Sequence, residues 1–270
     1  MNAPHDETLL RIADSARHRV EALKLATPGF RLRERLGSAR PAGRLERALR
    51  RGAPAGPLRL LCELARAMPA RGVLQADPDP AAFARLCEAG GAAAISIVTE
   101  PDHYGGNPAW AESARRATGL PILLDDFVVD PYQLLEASVH GADGVRLIAA
   151  LFSEVQLQVM VSEARMRGLD ALVEVHDRAE LQRALKAGAT LVGIGDDALR
   201  HAGARAGGTA DLLAAVPPLV TAVAGIRLER PGDLAALRGT RCDAVLAGEV
   251  LAASSDPAAA LAALQTAARG

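Results

Sequence analysis

Short apolar runs alternate along this chain with segments whose apolar residues recur at helical spacing. Eight runs read as strands: Leu58–Glu63, Ala93–Val98, Pro121–Asp126, Gly144–Ile148, Ala171–Val175, Leu191–Ile194, Leu219–Ala224 and Ala244–Ala247. Most are unbroken stretches of Val, Ile, Leu and Ala, as in strands covered on both faces. The helices between them announce their starts. Asp79-Pro80, Asp130-Pro131 and Asp256-Pro257 each place a capping carboxylate before a proline at the first helical position. Asp177, with Glu180 three residues on, reads as an N-cap and a capping box. Gly141, Gly168 and Gly188 close helices ahead of the next strand. Strict alternation of eight strands with helices predicts a parallel sheet closed into a single (β/α)8 barrel. An open, doubly wound sheet is the alternative.

The segment before the first strand has a different pattern. Leu9, Ile12, Ala16, Val20 and Leu23 fall on one helical face, so Thr8–Leu25 reads as an extra helix packed on the barrel. A Pro-, Gly- and Arg-rich stretch, Ser38–Pro57, follows, and its basic run Arg44–Arg51 reads as a solvated helix face. The expected organisation is an N-terminal helix and linker over residues 1–57 and a barrel over 58–270.

Composition narrows the function classes. The chain has 270 residues, a length that one α/β barrel fills. Its formal net charge of −1 and its 3 % aromatic content argue against nucleic acid or an anionic membrane as partner. Cys62, Cys87 and Cys242 form no CxxC and read as buried free thiols. The charged N-terminus has no signal-peptide pattern and no apolar run is long enough to span a bilayer, so a cytoplasmic protein is expected.

In such barrels the active site lies at the C-terminal ends of the strands. Those positions hold Glu63, Asp125, Asp126, Glu174, Gly195-Asp196-Asp197, Ala224-Gly225 and Ala247-Gly248-Glu249. Carboxylates dominate, and the cations within sequence reach are Arg66, Arg71, Arg146 and Arg200. Such a mouth disfavours a dianion, because two like charges at ~4 Å cost roughly 4 kcal/mol at an effective dielectric of ~20. His103 and His201 follow strands 2 and 6, but no HxH or HxxxH pairing supports a metal site, and neither metal nor cofactor is expected. His176 and Trp110 read as structural residues. Gly105-Gly106 and Gly207-Gly208 read as loop glycines.

The stretches CELARAMPARG, ISIVTEPDHYGGN, LPILLDDFVVDPYQLLEA, GADGVRLI, LDALVEVHDRAEL, LVGIGDDAL, VAGI and DAVLAGEVL resemble the successive strand ends of indole-3-glycerol-phosphate synthases, from about Thr8 to Leu264. That family closes an indole ring on a carboxyphenylamino-deoxyribulose phosphate with loss of carbon dioxide and water. The resemblance implies a lysine acid, a glutamate base, a cation for the substrate carboxylate and donors for the phosphate. Glu63, Pro69, Gly72, Asp126, Phe127, Glu174, Gly225, Gly248 and Glu249 match the family pattern.

Other positions depart from it. The family's lysine after the first glutamate is Ala65 here, and the serine of that loop is Met68. The third-strand lysine, the general acid, is Asp125. The asparagine and arginine after strand 6 are Gly195 and Asp197, and the glutamate and serine ending strand 7 are Val223 and Ala224. Arg146 stands inside an apolar strand where the family has leucine, and is expected to pair with Asp125 or Asp126. With these losses the resemblance implies a member that does not run the standard ring closure. Two classes stay open: a retasked lyase or isomerase, or a non-catalytic homologue that binds a metabolite or partner protein. A low-activity synthase is a third. The catalytic candidates are Glu63, Asp125, Asp126 and Glu174, with Asp125 and Glu174 as an acid/base pair. Arg146, Tyr104, Phe127, Met68, Gly195, Asp197, Gly225, Gly248 and Glu249 are candidates to bind a small, neutral or cationic ligand.

Overall fold

The computed structural model describes residues 4–37, 41–53, 56–69, 71–195, 206–226 and 228–270. Eight parallel strands close into a barrel: β1 Arg59–Leu64, β2 Ala94–Val98, β3 Ile122–Asp125, β4 Gly144–Ile148, β5 Asp170–Val175, β6 Leu191–Gly195, β7 Thr221–Gly225 and β8 Ala244–Ala247. Each pairs with its neighbours in sequence, and β1 closes the ring against β8. Successive side chains alternate between the barrel interior and the surrounding helices. Leu61, Ala94, Leu123, Leu172, Leu191, Val223 and Ala244 therefore form one interior layer. Two residues further along β1, β3 and β5 the next layer holds Glu63, Asp125 and Glu174. The apolar interior ends where the carboxylates begin.

The caps form as the sequence predicts, with one change. Asp79, Asp130 and Asp256 accept backbone N–H bonds from the first turns of the helices they precede, and Asp130 completes a capping box with Gln133. Asp177 accepts from Glu180 N at 2.7 Å, but the Glu180 carboxylate reaches past the cap to accept from His176 N at 2.8 Å. Gly141, Gly168 and Gly188 take φ of 77°, 74° and 82°, the left-handed conformation that ends a helix at little cost only for glycine. Strand β7 starts two residues later than the apolar run suggested. Pro217-Pro218 lack N–H groups, a turn bond from Val220 N to Pro217 O follows, and Leu219 is left 81 % exposed.

The N-terminal segment packs on both ends of the barrel. Helix α1, Pro4–Ala26, buries Leu9, Ile12, Ala16 and Val20, and the first three pack with Ala65, Val98, Tyr104, Phe127 and Ile148 at the C-terminal end. After the short helix α2, Gly29–Glu34, helix α3, Arg44–Leu49, plugs the opposite end. Its Leu45 and Leu49 are fully buried within the interior layer. Asp170 caps α3, accepting from the N–H groups of Gly43, Leu45 and Glu46 at 2.7, 2.8 and 3.1 Å. Gly144 leaves room for the plug, since a Cβ there would stand 2.6 Å from Leu45 Cδ2. The basic run is therefore not a solvated face. Its leucines fill the barrel floor, Arg44 pairs with Asp143 at 2.6 Å, and Arg51 is buried. The abundance of arginine obscured the apolar pair Leu45 and Leu49, one helical turn apart on a buried face.

Cys62, Cys87 and Cys242 are buried free thiols. Among the described residues no helix is long and apolar enough to cross a membrane.

Candidate active site at the barrel mouth

A cavity of about 270 Å³ opens at the C-terminal ends of the strands. Its floor is the apolar layer of Leu61, Leu123, Leu172 and Val223, and Leu246, Val98 and Phe127 add to the walls. Among the described residues five carboxyl side chains reach it, from Glu63, Glu100, Asp125, Glu174 and Glu249, and two guanidinium groups, from Arg71 and Arg146.

Strand register brings the central charges together. Leu123 pairs with Gly144 and Leu124 with Val145, so Asp125 and Arg146 come side by side on adjacent strands. The Arg146 guanidinium bridges Asp125 Oδ1 at 2.6 Å and Glu174 Oε2 at 2.8 Å, and its Cζ lies 5.5 Å from the centre of the Phe127 ring. The pairing expected from sequence thus holds with Asp125. The second partner is Glu174, not Asp126.

Glu174 also touches His176, whose Nε2 lies 3.2 Å from Glu174 Oε1 and whose Nδ1 lies 3.4 Å from Glu180 Oε2. Burial works against a charged Glu174, but Arg146 and His176 outweigh it and hold the carboxyl well below the usual carboxylate range. Burial also works against an imidazolium, yet the two glutamates raise the His176 pKa to about 9. Asp125 is raised by burial and by Glu174, with Arg146 and the Ser96 hydroxyl opposing.

Glu63 is set apart. It is 6 % exposed and opens on the cavity, and among the described residues it makes no hydrogen bond and no ion pair. Burial, then Asp125, Glu174 and Glu249 push its pKa up to about 8, with Arg146 opposing, so the carboxyl is protonated at neutral pH. Gly248 keeps the approach open, because a Cβ there would stand 2.6 Å from Glu63 Oε1.

The remaining candidates divide. Tyr104, Phe127, Met68, Gly195, Gly225, Gly248 and Glu249 line the cavity, and Glu249 pairs with Arg71 at 2.8 Å. Asp126 does not line it. Its carboxylate turns toward α1, accepting from Arg19 at 2.7 Å and from Phe127 N at 2.7 Å, and burial followed by the opposing Arg19 leaves its pKa raised to about 6. Arg66 is spent on the carbonyl of Ala76. Asp196, Asp197, Arg200 and His201 lie outside the described residues. His103 packs against Ser15, with its Nε2 at 3.2 Å from the hydroxyl. Among the described residues no three His, Cys, Asp or Glu side chains are grouped to hold a metal ion.

Two residues that sequence reasoning passed over shape the rim. Glu100 accepts the N–H groups of Asp102, His103 and Tyr104 at 3.1, 2.7 and 2.9 Å, folding the loop after β2. Arg19 on α1 reaches Glu100, Asp102 and Asp126 at 3.1, 3.2 and 2.7 Å, tying the N-terminal helix to the loops after β2 and β3. Glu100 directly follows an apolar strand and was findable by position. Arg19 lies 81 to 107 residues before its partners, and no local signal marks it.

Comparison with known proteins places this geometry in a family. The family model of indole-3-glycerol phosphate synthase matches residues 9–264. A protein of Parafrankia sp. (strain EAN1pec) with that name is 42 % identical over 208 residues, covering 77 % of this chain and 78 % of its own length. One of Sulfurimonas denitrificans is 40 % identical over 205 residues, covering 76 % and 78 %. Among solved structures, thiamine phosphate pyrophosphorylase from Pyrococcus furiosus superposes with a TM-score of 0.61 at 19 % identity, covering 80 % of this chain and 98 % of its own. The 3-hexulose-6-phosphate synthase of Salmonella typhimurium gives 0.61 at 15 % identity, covering 78 % and 98 %. These two share the barrel fold. With the family match running through every strand of the barrel, the chain belongs to the indole-3-glycerol phosphate synthase family.

Proposed function

We propose that this family member does not carry out the decarboxylating ring closure, and instead performs acid–base chemistry of lyase or isomerase type on a small neutral or cationic molecule. One observation carries the reading: no lysine is left to act as the acid. The whole chain contains two, Lys24 and Lys186. Lys24 pairs with Asp130 and Glu21, and Lys186 with Glu154, and neither lines the cavity. At the position where the resemblance puts the lysine, Asp125 is bound to Arg146.

The same charges reassign the proton chemistry. Asp125 and Glu174 share one guanidinium, which ties up both members of the acid/base pair expected from sequence. Glu63 is protonated and unpaired, so it is the group able to give or take a proton at neutral pH. Loss of a general acid typically costs about 10²–10⁴-fold in rate. Val223 and Ala224, where the family has glutamate and serine, remove further polar contacts.

A second reading is favoured by the comparisons: a genuine synthase of the tryptophan pathway, as the relatives at about 40 % identity are named. One assay separates the two. Purified protein is given carboxyphenylamino-deoxyribulose phosphate and indole fluorescence is followed, alongside rescue of a tryptophan auxotroph lacking the synthase. The proposal expects neither. Turnover at the rate of an ordinary synthase, or clean rescue, establishes the second reading.

A further inference from the structure

The cavity's charge balance points to a class of ligand. Among the described residues two guanidinium groups reach its wall, and both are engaged: Arg146 by Asp125 and Glu174, Arg71 by Glu249. Glu100 spends its oxygens on Arg19 and three backbone N–H groups. An anionic ligand held by either of these guanidinium groups would have to break its pair, leaving a carboxylate unmatched. Glu63 differs: it is 6 % exposed, lines the cavity, and makes no hydrogen bond or ion pair among the described residues. A mostly buried carboxyl that faces a cavity without a counter-charge gains from a ligand that brings one.

We propose that the cavity takes a small organic cation, a primary or secondary amine on an apolar body, with its ammonium held by Glu63 and its body against Leu61, Leu123, Leu172 and Leu246. This rests on the reading that the mouth is a small-molecule site no longer arranged for the family's phosphate substrate. The groups facing Glu63 fix its proton chemistry: Asp125 from β3, Arg146 from β4, Glu174 from β5 and Glu249 after β8. Their net effect, with burial, is to keep Glu63 protonated in the empty site. An arriving ammonium offsets that effect, the proton leaves to solvent, and Glu63 stands as a carboxylate beside the ligand. Binding therefore releases up to one proton and strengthens as pH rises toward about 8.

The test uses benzylamine, benzyl alcohol, benzoate and phenyl phosphate as shape-matched probes on the full-length protein. Calorimetry at pH 7 in two buffers of different ionisation enthalpy reads affinity and proton release together. Benzylamine is expected to bind about ten-fold or more tightly than benzyl alcohol, the worth of a charge-assisted hydrogen bond, with close to one proton released. The two anions are expected not to saturate. Glu63→Gln should lower benzylamine affinity about ten-fold and abolish the proton release. Should that variant fold poorly, proton release and pH dependence in the unmodified protein decide alone. Anions binding as well as the amine, an amine with no proton release, or no amine binding at millimolar concentration would each overturn the proposal. The ring-closure assay on the same sample keeps the two ideas apart. Turnover removes the parent reading, whereas no turnover together with no amine binding removes this one only.

Discussion

His176 occupies the space that a side chain at position 195 would need: a Cβ on Gly195 would stand 2.3 Å from His176 Nε2. The same nitrogen lies 3.2 Å from Glu174 Oε1. The glycine, which replaces the asparagine of the family pattern, and the histidine–glutamate contact therefore depend on each other. Gly195→Asn should force the imidazole away and destabilise the protein by about 1–3 kcal/mol, the usual cost of overpacking. Urea unfolding measures it, and a second change, His176→Ala, should recover part of the loss. A Gly195→Asn protein as stable as the parent would mean the imidazole has another place to go.

Arg146→Leu restores the residue of the family pattern but strands two carboxyls. Asp125 and Glu174 would lose the guanidinium they share, and breaking a buried pair from one side costs about 3–5 kcal/mol. The loss should be larger at pH 8 than at pH 5, because protonating the stranded carboxyls relieves it. A variant within about 0.5 kcal/mol of the parent at both pH values contradicts the bridge.

Through His176 and Glu63 stability should fall as pH rises from about 4.5 through about 9. His176 has a folded pKa of about 9 against an ordinary 6.5. Its contribution is complete below about 6.5 and disappears as pH climbs through 9. Glu63 has a folded pKa of about 8 against 4.5, so ionising it in the folded state is disfavoured, and its contribution is lost from about 4.5 up through 8. Glu174, held low, loses its contribution only in acid, below this window. Unfolding free energies measured at half-unit steps should show His176→Gln removing the slope above pH 8 and lessening it between 6.5 and 8, and Glu63→Gln removing its share from pH 4.5 to 8. An unchanged slope in either variant refutes the corresponding assignment.

Arg19→Met keeps the length and apolar contact of the side chain but removes its three ion pairs. Glu100 and Asp126 are buried, so their loss of a partner should loosen α1 and the loops after β2 and β3. Amide hydrogen exchange should rise across residues 8–26 and 100–106, while α3 at the opposite end keeps its protection. Uniform exchange across the chain, or no change, would mean α1 is held by its apolar face alone.

The barrel was legible in the sequence because its cause is local and periodic. Strands buried on both faces must be continuously apolar, and helices must be capped where Asp-Pro pairs and glycines permit, so eight strands and their order could be read from residue type and spacing. The mouth carboxylates were legible for the same reason, since Glu63, Asp125 and Glu174 end apolar runs at fixed strand parity. The tertiary structure decided what those carboxylates are. One guanidinium serves both Asp125 and Glu174, Asp126 turns outward to an arginine from the N-terminal helix, and Glu63 is left alone and protonated. It also turned an arginine-rich stretch into the leucine plug of the barrel floor. Adjacent strand ends were enough to suggest the Arg146–Asp125 pair, but the other partnerships and the pKa values follow from distances between residues far apart in the chain, which no pattern along the sequence contains.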